Sequence, residues 1–285
     1  MPERDGYIAG VPCWVDTTQP DPDAAAEFYG QLFGWEFDDA NPAGSQHRYL
    51  IGRIRGGDVA AVSPQPEGAP LGAVWNTYIW VDDADQAAAM AREAGGGVLS
   101  EPFDVAGAGR MAVLADPAGA AFSVWQAREF RGARIVNERG SVNFNVLSTG
   151  DPEAARRFYG AVFGWTTLDL GSGEFWTLRA YGDYLEELTP GTRERTAELG
   201  AAGFEDVVAA ITPLAEDDTL DQWGVTFSTD DADATAARTT ELGGAVLLAP
   251  VDAPYSRVTV LRDPQGATFS ATAFVPENKD VGRRD

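Results

Sequence analysis

One predicted strand carries the side chains best suited to hold a flat molecule. Residues alternate between faces along a strand, so Asn76, Tyr78 and Trp80 share one face. The same alternation groups Ser123 with Trp125 on a later strand. Aromatic rings can stack on a planar ligand, while amide and phenol groups orient it by hydrogen bonds. Alternatively, the rings fill the centre of the domain as core. The predicted ligand-binding set of this half is Trp14, Asn76, Tyr78, Trp80, Ser123 and Trp125.

The corresponding positions in the second half carry small or polar side chains. They are Gly224, Thr226, Ser228, Ser270 and Thr272. The sequence therefore predicts a roomier second cavity, or one filled from elsewhere by aromatic residues or by an inserted segment. The predicted ligand-binding residues of this half are Phe144, Trp176, Thr226 and Ser270.

Reactive side chains are scarce. His47 is the only histidine and begins a predicted strand, with no partner in the sequence that would position it for catalysis. Cys13 is the only cysteine and lies in an apolar strand, which is typical of a buried, inert thiol. Nucleophile-elbow, Walker and dinucleotide-binding motifs do not occur. We therefore assign no catalytic residue.

A duplicated motif defines the architecture that must position these residues. Phe-Tyr-Gly-x-x-Phe-Gly-Trp begins at Phe28 and again at Phe158, 130 residues later. Asp-Pro-x-Gly occurs at residues 116–119 and 263–266. The offset between the halves has grown to 148 by residue 206, so about 18 residues are inserted near residues 182–205. This insertion contains a predicted polar helix, residues 193–199, ended by Gly200.

Each quarter of the chain repeats one order of elements. An apolar strand leads to a helix with an acidic N-cap, and three strands follow. The predicted fold is α+β, with four βαβββ units. The units are residues 8–70 and 71–127 in a first domain (8–127), and residues 140–215 and 216–275 in a second (140–275). Residues 128–139 form a predicted linker. Pairing of units within each domain, or by exchange between domains or chains, is left open.

The repeated units resemble the vicinal oxygen chelate superfamily, which includes glyoxalase I, bleomycin-resistance proteins and extradiol dioxygenases. The resemblance covers about residues 8–275 and rests on the fourfold pattern, the Phe-Tyr-x-x-x-Phe-Gly-Trp helix and the Asp-Pro-x-Gly hairpin. It implies two glyoxalase-like domains whose curled mixed sheets each enclose a cavity.

The resemblance also implies where a divalent metal would bind, through His and Glu on the first and last strands of the units. Counting from the matching motifs places Asn76 and Gly224 at the His positions, and Ser123 and Ser270 at the Glu positions. Such ions require His nitrogen or carboxylate oxygen. The sequence thus predicts no metal site and no cofactor.

The amino-acid composition limits the classes of binding partner. The formal charge of −23 argues against nucleic acid and anionic membranes. A single cysteine fits a reducing compartment, and the N-terminal residues do not form a signal peptide, so a cytoplasmic location is expected. The expected partner is an aromatic or hydrophobic small molecule, and a homodimer is left open.

Three functions fit these observations. The first is a metal-free protein that captures a planar or hydrophobic metabolite or antibiotic, as the bleomycin-resistance branch does. The second is a metal-independent enzyme of secondary metabolism, such as a hydroxylase, isomerase or lyase, that uses the same cleft. The third is an interaction protein whose sheets assemble an oligomer. The aromatic lining and the missing acid, base and metal groups favour the first.

Overall fold

Two mixed sheets of eight strands make up the protein. The computed structural model describes residues 3–41, 48–66, 68, 72–170, 173–199, 201–214 and 220–282. The first sheet has the order β2-β3-β4-β1-β5-β8-β7-β6, and the second has the order β10-β11-β12-β9-β13-β16-β15-β14. Neither sheet closes into a barrel, since β2 and β6, and likewise β10 and β14, remain at the edges. The predicted α+β fold is confirmed, and the two units of each half share one sheet.

The bounds of the elements follow the predicted repeat. In the first half they are β1 (Pro12–Gln19), α1 (Pro22–Phe33), β2 (Glu36–Asp39), β3 (Leu50–Ile54), β4 (Gly57–Pro64), β5 (Val74–Trp80), α2 (Ala84–Glu93), β6 (Gly97–Val105), β7 (Gly109–Ala115) and β8 (Ala121–Ala127). In the second half they are β9 (Val142–Thr149), α3 (Pro152–Phe163), β10 (Thr166–Asp169), β11 (Glu174–Thr177), α4 (Arg179–Leu188), α5 (Thr192–Glu198), β12 (Val207–Pro213), β13 (Gln222–Ser228), α6 (Ala232–Glu241), β14 (Ala245–Ala253), β15 (Ser256–Arg262) and β16 (Thr268–Phe274). Short 3-10 turns, Phe204–Asp206 and Pro276–Asn278, precede β12 and follow β16.

Helix α1 shows why the predicted boundaries hold. The Asp21 carboxylate accepts hydrogen bonds from the backbone N–H groups of Asp23 and Ala24. Pro22 occupies the first helical position, where a backbone N–H would have no acceptor within the helix, so its missing N–H costs nothing. Gly34 ends the helix with a φ of 76°, a left-handed conformation that a side chain disfavours. Asp151 caps α3 at the equivalent position, where its carboxylate accepts a hydrogen bond from the backbone N–H of Ala154.

Each of the two duplicated helices packs in a core of its own that contains residues of both halves. Tyr29 on α1 donates a hydrogen bond to Asp263 Oδ2 of the second half, at 2.9 Å. Tyr159 on α3 donates reciprocally to Asp116 Oδ2 of the first half, at 3.2 Å. Both aspartates are buried in the Asp-Pro-x-Gly turns. The repeated motif therefore serves the contact between domains rather than a ligand.

The tryptophans that close the two motifs repeat this reciprocity. Trp35 Nε1 donates to the carbonyl oxygen of Gly140, at 2.7 Å, and Trp165 Nε1 donates to that of Gly10, at 2.8 Å. Gly10 and Gly140 each precede the first strand of their half. We call this set of reciprocal contacts the interdomain seam.

The inserted segment forms two helices rather than the predicted one. Helix α5 corresponds to the predicted polar helix, and Gly200 lies outside the described residues. Helix α4 was missed because it lacks a side-chain cap, so no N-terminal signal marks it. Distant contacts support it: the buried Arg4 guanidinium donates to Tyr181 Oη at 2.7 Å, and Tyr184 Oη donates to the carbonyl oxygen of Gly6 at 2.9 Å. Among the described residues, no helix is long and apolar enough to cross a membrane.

Candidate ligand-binding site

A cavity of about 1180 Å³ lies on the concave face of the second sheet. Its floor is formed by β9, β13, β15 and β16, and the inserted segment supplies part of its wall. Residues of the first half, among them Trp75 and the predicted site residue Asn76 on β5, also border it. The volume is large enough for a drug-sized molecule, since such pockets are typically about 300–1,000 Å³. The prediction of a roomier second cavity agrees with this geometry.

Small residues leave the floor open. Gly224 on β13 has only the Val146 carbonyl oxygen, at 3.7 Å, near the place where a Cβ would project. Thr226 and Ser270 are register partners on the parallel strands β13 and β16, and both border the cavity. Both had been predicted from the sequence as ligand-binding residues.

Three phenylalanines form an aromatic wall at one side. Phe144 on β9, Phe175 on β11 and Phe204 in the 3-10 turn line the cavity with half-buried rings. Their ring centroids are 6.2 Å apart for Phe144–Phe175, 6.0 Å for Phe144–Phe204 and 5.6 Å for Phe175–Phe204. Such separations are typical of interacting aromatic pairs. The sequence predicted Phe144; Phe175 and Phe204 were missed.

The structure corrects the expectation for Trp176. Its side chain is fully buried and packs on Tyr159 and Trp165, with centroid distances of 5.4 and 5.6 Å, so it belongs to the interdomain core. Strand alternation turns Phe175, its neighbour on β11, toward the cavity instead. The available signal was that alternation, once β11 had been placed in register with β12.

A hydrogen bond joins two segments that border the cavity. Tyr255 lies at the tip of the β14–β15 hairpin and donates to the carbonyl oxygen of Leu199, at 2.6 Å, just after α5. Tyr255 has a φ of 55°, which costs a residue with a side chain on the order of 1 kcal/mol. The hydrogen bond of the Tyr255 hydroxyl connects the hairpin to the end of α5 and offsets part of this cost. We call this contact the mouth bridge.

An arginine fixes the base of the inserted segment. Arg193 pairs with Asp183 on α4 at 2.7 Å and with Asp206 at 3.1 Å. It also pairs with the buried carboxylate of Glu205 at 2.8 Å. These bonds attach the two inserted helices to the 3-10 turn that precedes β12.

The first sheet encloses a different arrangement on its concave face. The carboxyl of Asp16 is buried and accepts hydrogen bonds from Asn76 (2.8 Å), Tyr78 (2.8 Å) and Tyr49 (3.0 Å). Trp14 Nε1 donates in turn to the Tyr49 hydroxyl at 2.8 Å. Alternation along β1 places Trp14 and Asp16 on one face. The predicted residues Trp14, Asn76 and Tyr78 are therefore brought together, around a carboxyl that sequence reasoning missed.

A ring from the chain between the domains fills the remaining space. Phe130 packs edge-on against Trp14 and Trp125, with centroids 4.8 and 5.9 Å apart, and its carbonyl oxygen accepts from Trp125 Nε1. Trp14, Trp125 and Ser123 are consequently buried, with exposures of 4, 6 and 4%. Trp80, also predicted, lies farther out against Tyr7.

Burial governs the ionisation of this cluster. Loss of solvent raises the pKa of the Asp16 carboxyl, although its three hydrogen bonds oppose the shift. Burial, and then the Asp16 charge, raise the pKa of Tyr49 and Tyr78 well above that of free tyrosine. Both phenols therefore remain donors to Asp16 at neutral pH.

The donor atoms present do not fit a divalent metal of the type that the fold suggests. Asn76, Ser123, Gly224 and Ser270 stand where His and Glu ligands would be expected. In the part of the chain that the structure describes, no group of three or more His, Cys, Asp or Glu side chains is placed to hold an ion. His47 lies outside the described residues.

Known proteins share this architecture. A family model for a glyoxalase-like domain matches residues 14–125 and 144–272. The chain belongs to the glyoxalase-like domain family. A family member from Mycobacterium tuberculosis, CFP32, is 39% identical over 97% of this chain and all of its own length, and carries the provisional name of a glyoxylase. DnrV of Streptomyces peucetius, named as an anthracycline biosynthesis protein, is 37% identical over 93% of each chain.

Solved structures extend the glyoxalase-like fold to metal enzymes. The Mn(II)-bound glyoxalase of Novosphingobium aromaticivorans has a TM-score of 0.59 at 17% identity, over 93% of this chain and 83% of its own. A trihydroxybiphenyl dioxygenase of Sphingomonas wittichii has a TM-score of 0.57 at 12% identity, over 93% and 91%. At these identities the likeness establishes the fold alone. Together with the family match, it places this glyoxalase-like chain in the vicinal oxygen chelate superfamily.

Proposed function

We propose that the protein binds a planar, hydrophobic small molecule in the cavity of the second domain, without a metal ion. The observation that carries this proposal is the cavity itself, about 1180 Å³ with a wall of three phenylalanine rings. Half-buried rings around an open space provide apolar contact area for a ligand, and their edges and faces favour a flat aromatic partner. The predicted aromatic cleft of the first domain is occupied by its own side chains, so the second cavity is the better site.

The polar lining favours binding over catalysis. Thr226, Ser228, Ser270 and Thr272 present hydroxyl groups, which orient a ligand but are weak acids and bases without an activating partner. The Asp16 carboxyl is buried and already accepts three hydrogen bonds from its own domain, which leaves it little capacity to act on a ligand.

Two cavity residues support a second candidate, a metal-independent enzyme. Asp221 and Lys279 both border the cavity and could exchange a proton with a bound substrate. DnrV is named for the biosynthesis of anthracyclines, which are planar polycyclic aromatic compounds. A related compound is therefore a reasonable ligand, whether it is held or converted.

The test is to fill the cavity. Gly224→Trp places an indole on the open floor, and Gly97→Trp is the matched control, because Gly97 is a strand glycine of the first domain with its nearest neighbour at 3.8 Å. A planar aromatic compound at a hundred times its Kd should stabilise the wild-type protein and the control by about 2.7 kcal/mol. It should leave Gly224→Trp unchanged. Equal stabilisation of all three proteins would refute the site, and a new product mass after incubation would establish the enzyme instead.

A further inference from the structure

A band of four hydroxyl groups crosses the floor of the second-domain cavity. Thr226 and Ser228 on β13 stand in register with Ser270 and Thr272 on β16. Neighbouring strands lie about 4.8 Å apart, and alternate residues are about 6.7 Å apart along a strand. The four side chains thus mark the corners of a rectangle of roughly 5 by 7 Å that faces the cavity.

These four hydroxyls have no hydrogen-bond partner among the residues that the structure describes. Within the described residues, no side chain or backbone group bonds to their oxygen atoms, and none of the four is an occluded atom lacking a partner. In the first domain the position equivalent to Thr226 is Tyr78, and its hydroxyl does have a protein partner, because it donates to Asp16. Polar groups on a cavity floor that lack protein partners are available to a ligand.

Apolar surfaces lie on both sides of the band. The three phenylalanines of the aromatic wall border it on the β9 side. Val258 and Val260 on β15, and Leu247 on β14, border it on the other. A complementary molecule would carry its polar atoms in the middle and hydrocarbon at each end.

The donor and acceptor capacity of the four hydroxyls indicates which polar groups the ligand carries. A threonine or serine hydroxyl both donates and accepts, so it matches a neutral phenol or a ketone oxygen equally well. The protein carries a formal charge of −23, which opposes the approach of an anion. Lys279 is the only lysine in the sequence, so the cavity lining offers little to attract a carboxylate or phosphate.

We propose that the ligand is an uncharged fused-ring phenol or quinone whose oxygens are grouped near its centre, and that the hydroxyl band selects it. This inference rests on the proposed function and assigns a specificity role to Thr226, Ser228, Ser270 and Thr272. The rings stack at the aromatic wall, and the oxygens exchange hydrogen bonds with the band.

Two probes of similar shape distinguish recognition of ligand oxygens by the hydroxyl band from burial of an apolar ring system. Full-length protein is titrated with 1,8-dihydroxyanthraquinone, which has central oxygens, and with anthracene, which has none. The wild-type protein should bind the quinone at least 10-fold more tightly than anthracene. Thr226→Val and Thr272→Val keep the side-chain shape and remove one hydroxyl each. Each should weaken quinone binding about 2- to 10-fold, the value of one neutral hydrogen bond, and leave anthracene binding unchanged.

Thr212→Val is the matched control. Thr212 also borders the cavity, but its hydroxyl already bonds to Ser148 at 3.1 Å, so its loss should not alter the affinity ratio of the two probes. Equal affinity for both probes, or equal losses in the control and in the band variants, would overturn the selection by hydroxyls while leaving an apolar binding site intact. Failure of both probes to bind would contradict the proposed function as well.

Discussion

The two concave faces differ at nearly every position, although their strands pair in the same register. The first carries Trp14, Asp16, Asn76, Tyr78 and Trp125 where the second carries Phe144, Val146, Gly224, Thr226 and Thr272. In the first, a buried carboxyl gathers three donors and Phe130 fills the centre. In the second, small side chains leave a cavity of about 1180 Å³.

The interdomain seam shows the opposite behaviour. Tyr29 and Tyr159 make reciprocal bonds to aspartates of the other half, as do Trp35 and Trp165 to carbonyl oxygens. Residues that join the halves have kept their identity in both copies, whereas residues facing the clefts have diverged. One copy has become a packed support and the other an open site.

The largest expected effect comes from removing the centre of the packed cleft. Asp16→Ala removes the acceptor of the buried Tyr78 hydroxyl and of the partly buried Asn76 and Tyr49 donors, at about 1–3 kcal/mol for each donor that no water reaches. We expect a loss of about 3 kcal/mol or more in the free energy of unfolding, measured by urea titration. Val146→Ala, its counterpart in the open cleft, should cost only about 1 kcal/mol. Similar losses for the two variants would contradict the difference between the clefts.

Removing the ring that plugs the first cleft should have a smaller effect. Phe130→Ala deletes a partly buried ring between two tryptophans, and we expect a loss of about 2 kcal/mol, below the range for fully buried phenylalanine. The variant should also gain stability from added benzene or indole, because the space it opens has apolar walls. Phe144→Ala, in a cleft that is already open, should lose less, and the thermal melting of both variants with and without benzene provides the measurement.

The pH dependence of the free energy of unfolding tests the ionisation of the buried Asp16 carboxyl. The pKa of Asp16 is raised above its ordinary 3.8 in the folded protein, so the folded state holds this proton more tightly than the unfolded state. The cost of ionising Asp16 is absent below about pH 4 and grows as the pH rises through the folded-state pKa. Asp16→Asn does not titrate there. Its stability relative to wild type should therefore improve from pH 4 to pH 8, whereas a constant difference would show that Asp16 is solvated.

The smallest effect is expected at the open cleft. Tyr255→Phe removes the mouth bridge but keeps the ring, so the global stability should fall by about 0.5–1 kcal/mol. Amide hydrogen exchange in α5 should accelerate, and ligand release should become faster. Unchanged exchange in α5 would mean that its other contacts, including the ionic bonds of Arg193 and the Thr196–Glu205 hydrogen bond, suffice to hold the inserted segment in place.

Much of the fold could be predicted from the sequence, because the capping residues and the duplicated motifs indicate the same helices and strands. Asp21, Pro22 and Gly34 mark both ends of α1 by mechanisms that need no tertiary information. Helix α4 was not accessible in this way. Its uncapped start is stabilised by Arg4, more than 170 residues away in the chain.

The candidate site was only partly predictable for a similar reason. Alternation grouped Asn76 with Tyr78, which both bond to Asp16, and the correspondence between the halves selected Thr226 and Ser270, which are register partners. Whether a face is open depends on what covers it, and Phe130 comes from a segment without periodicity that no local rule assigns to the cleft. Likewise, Phe204 reaches the second cavity from the end of the inserted segment.

The interdomain seam also has a consequence for the time at which the protein becomes stable. Tyr29 leaves the ribosome 234 residues before Asp263, the acceptor of its hydroxyl. At about 5–20 residues per second, roughly 10–50 seconds pass before Asp263 is synthesised, and during that time the Tyr29 hydroxyl lacks this acceptor. Gln19, whose amide also donates to Asp263, waits with it. The first half of the chain therefore reaches its final packing only when synthesis of the second is almost complete.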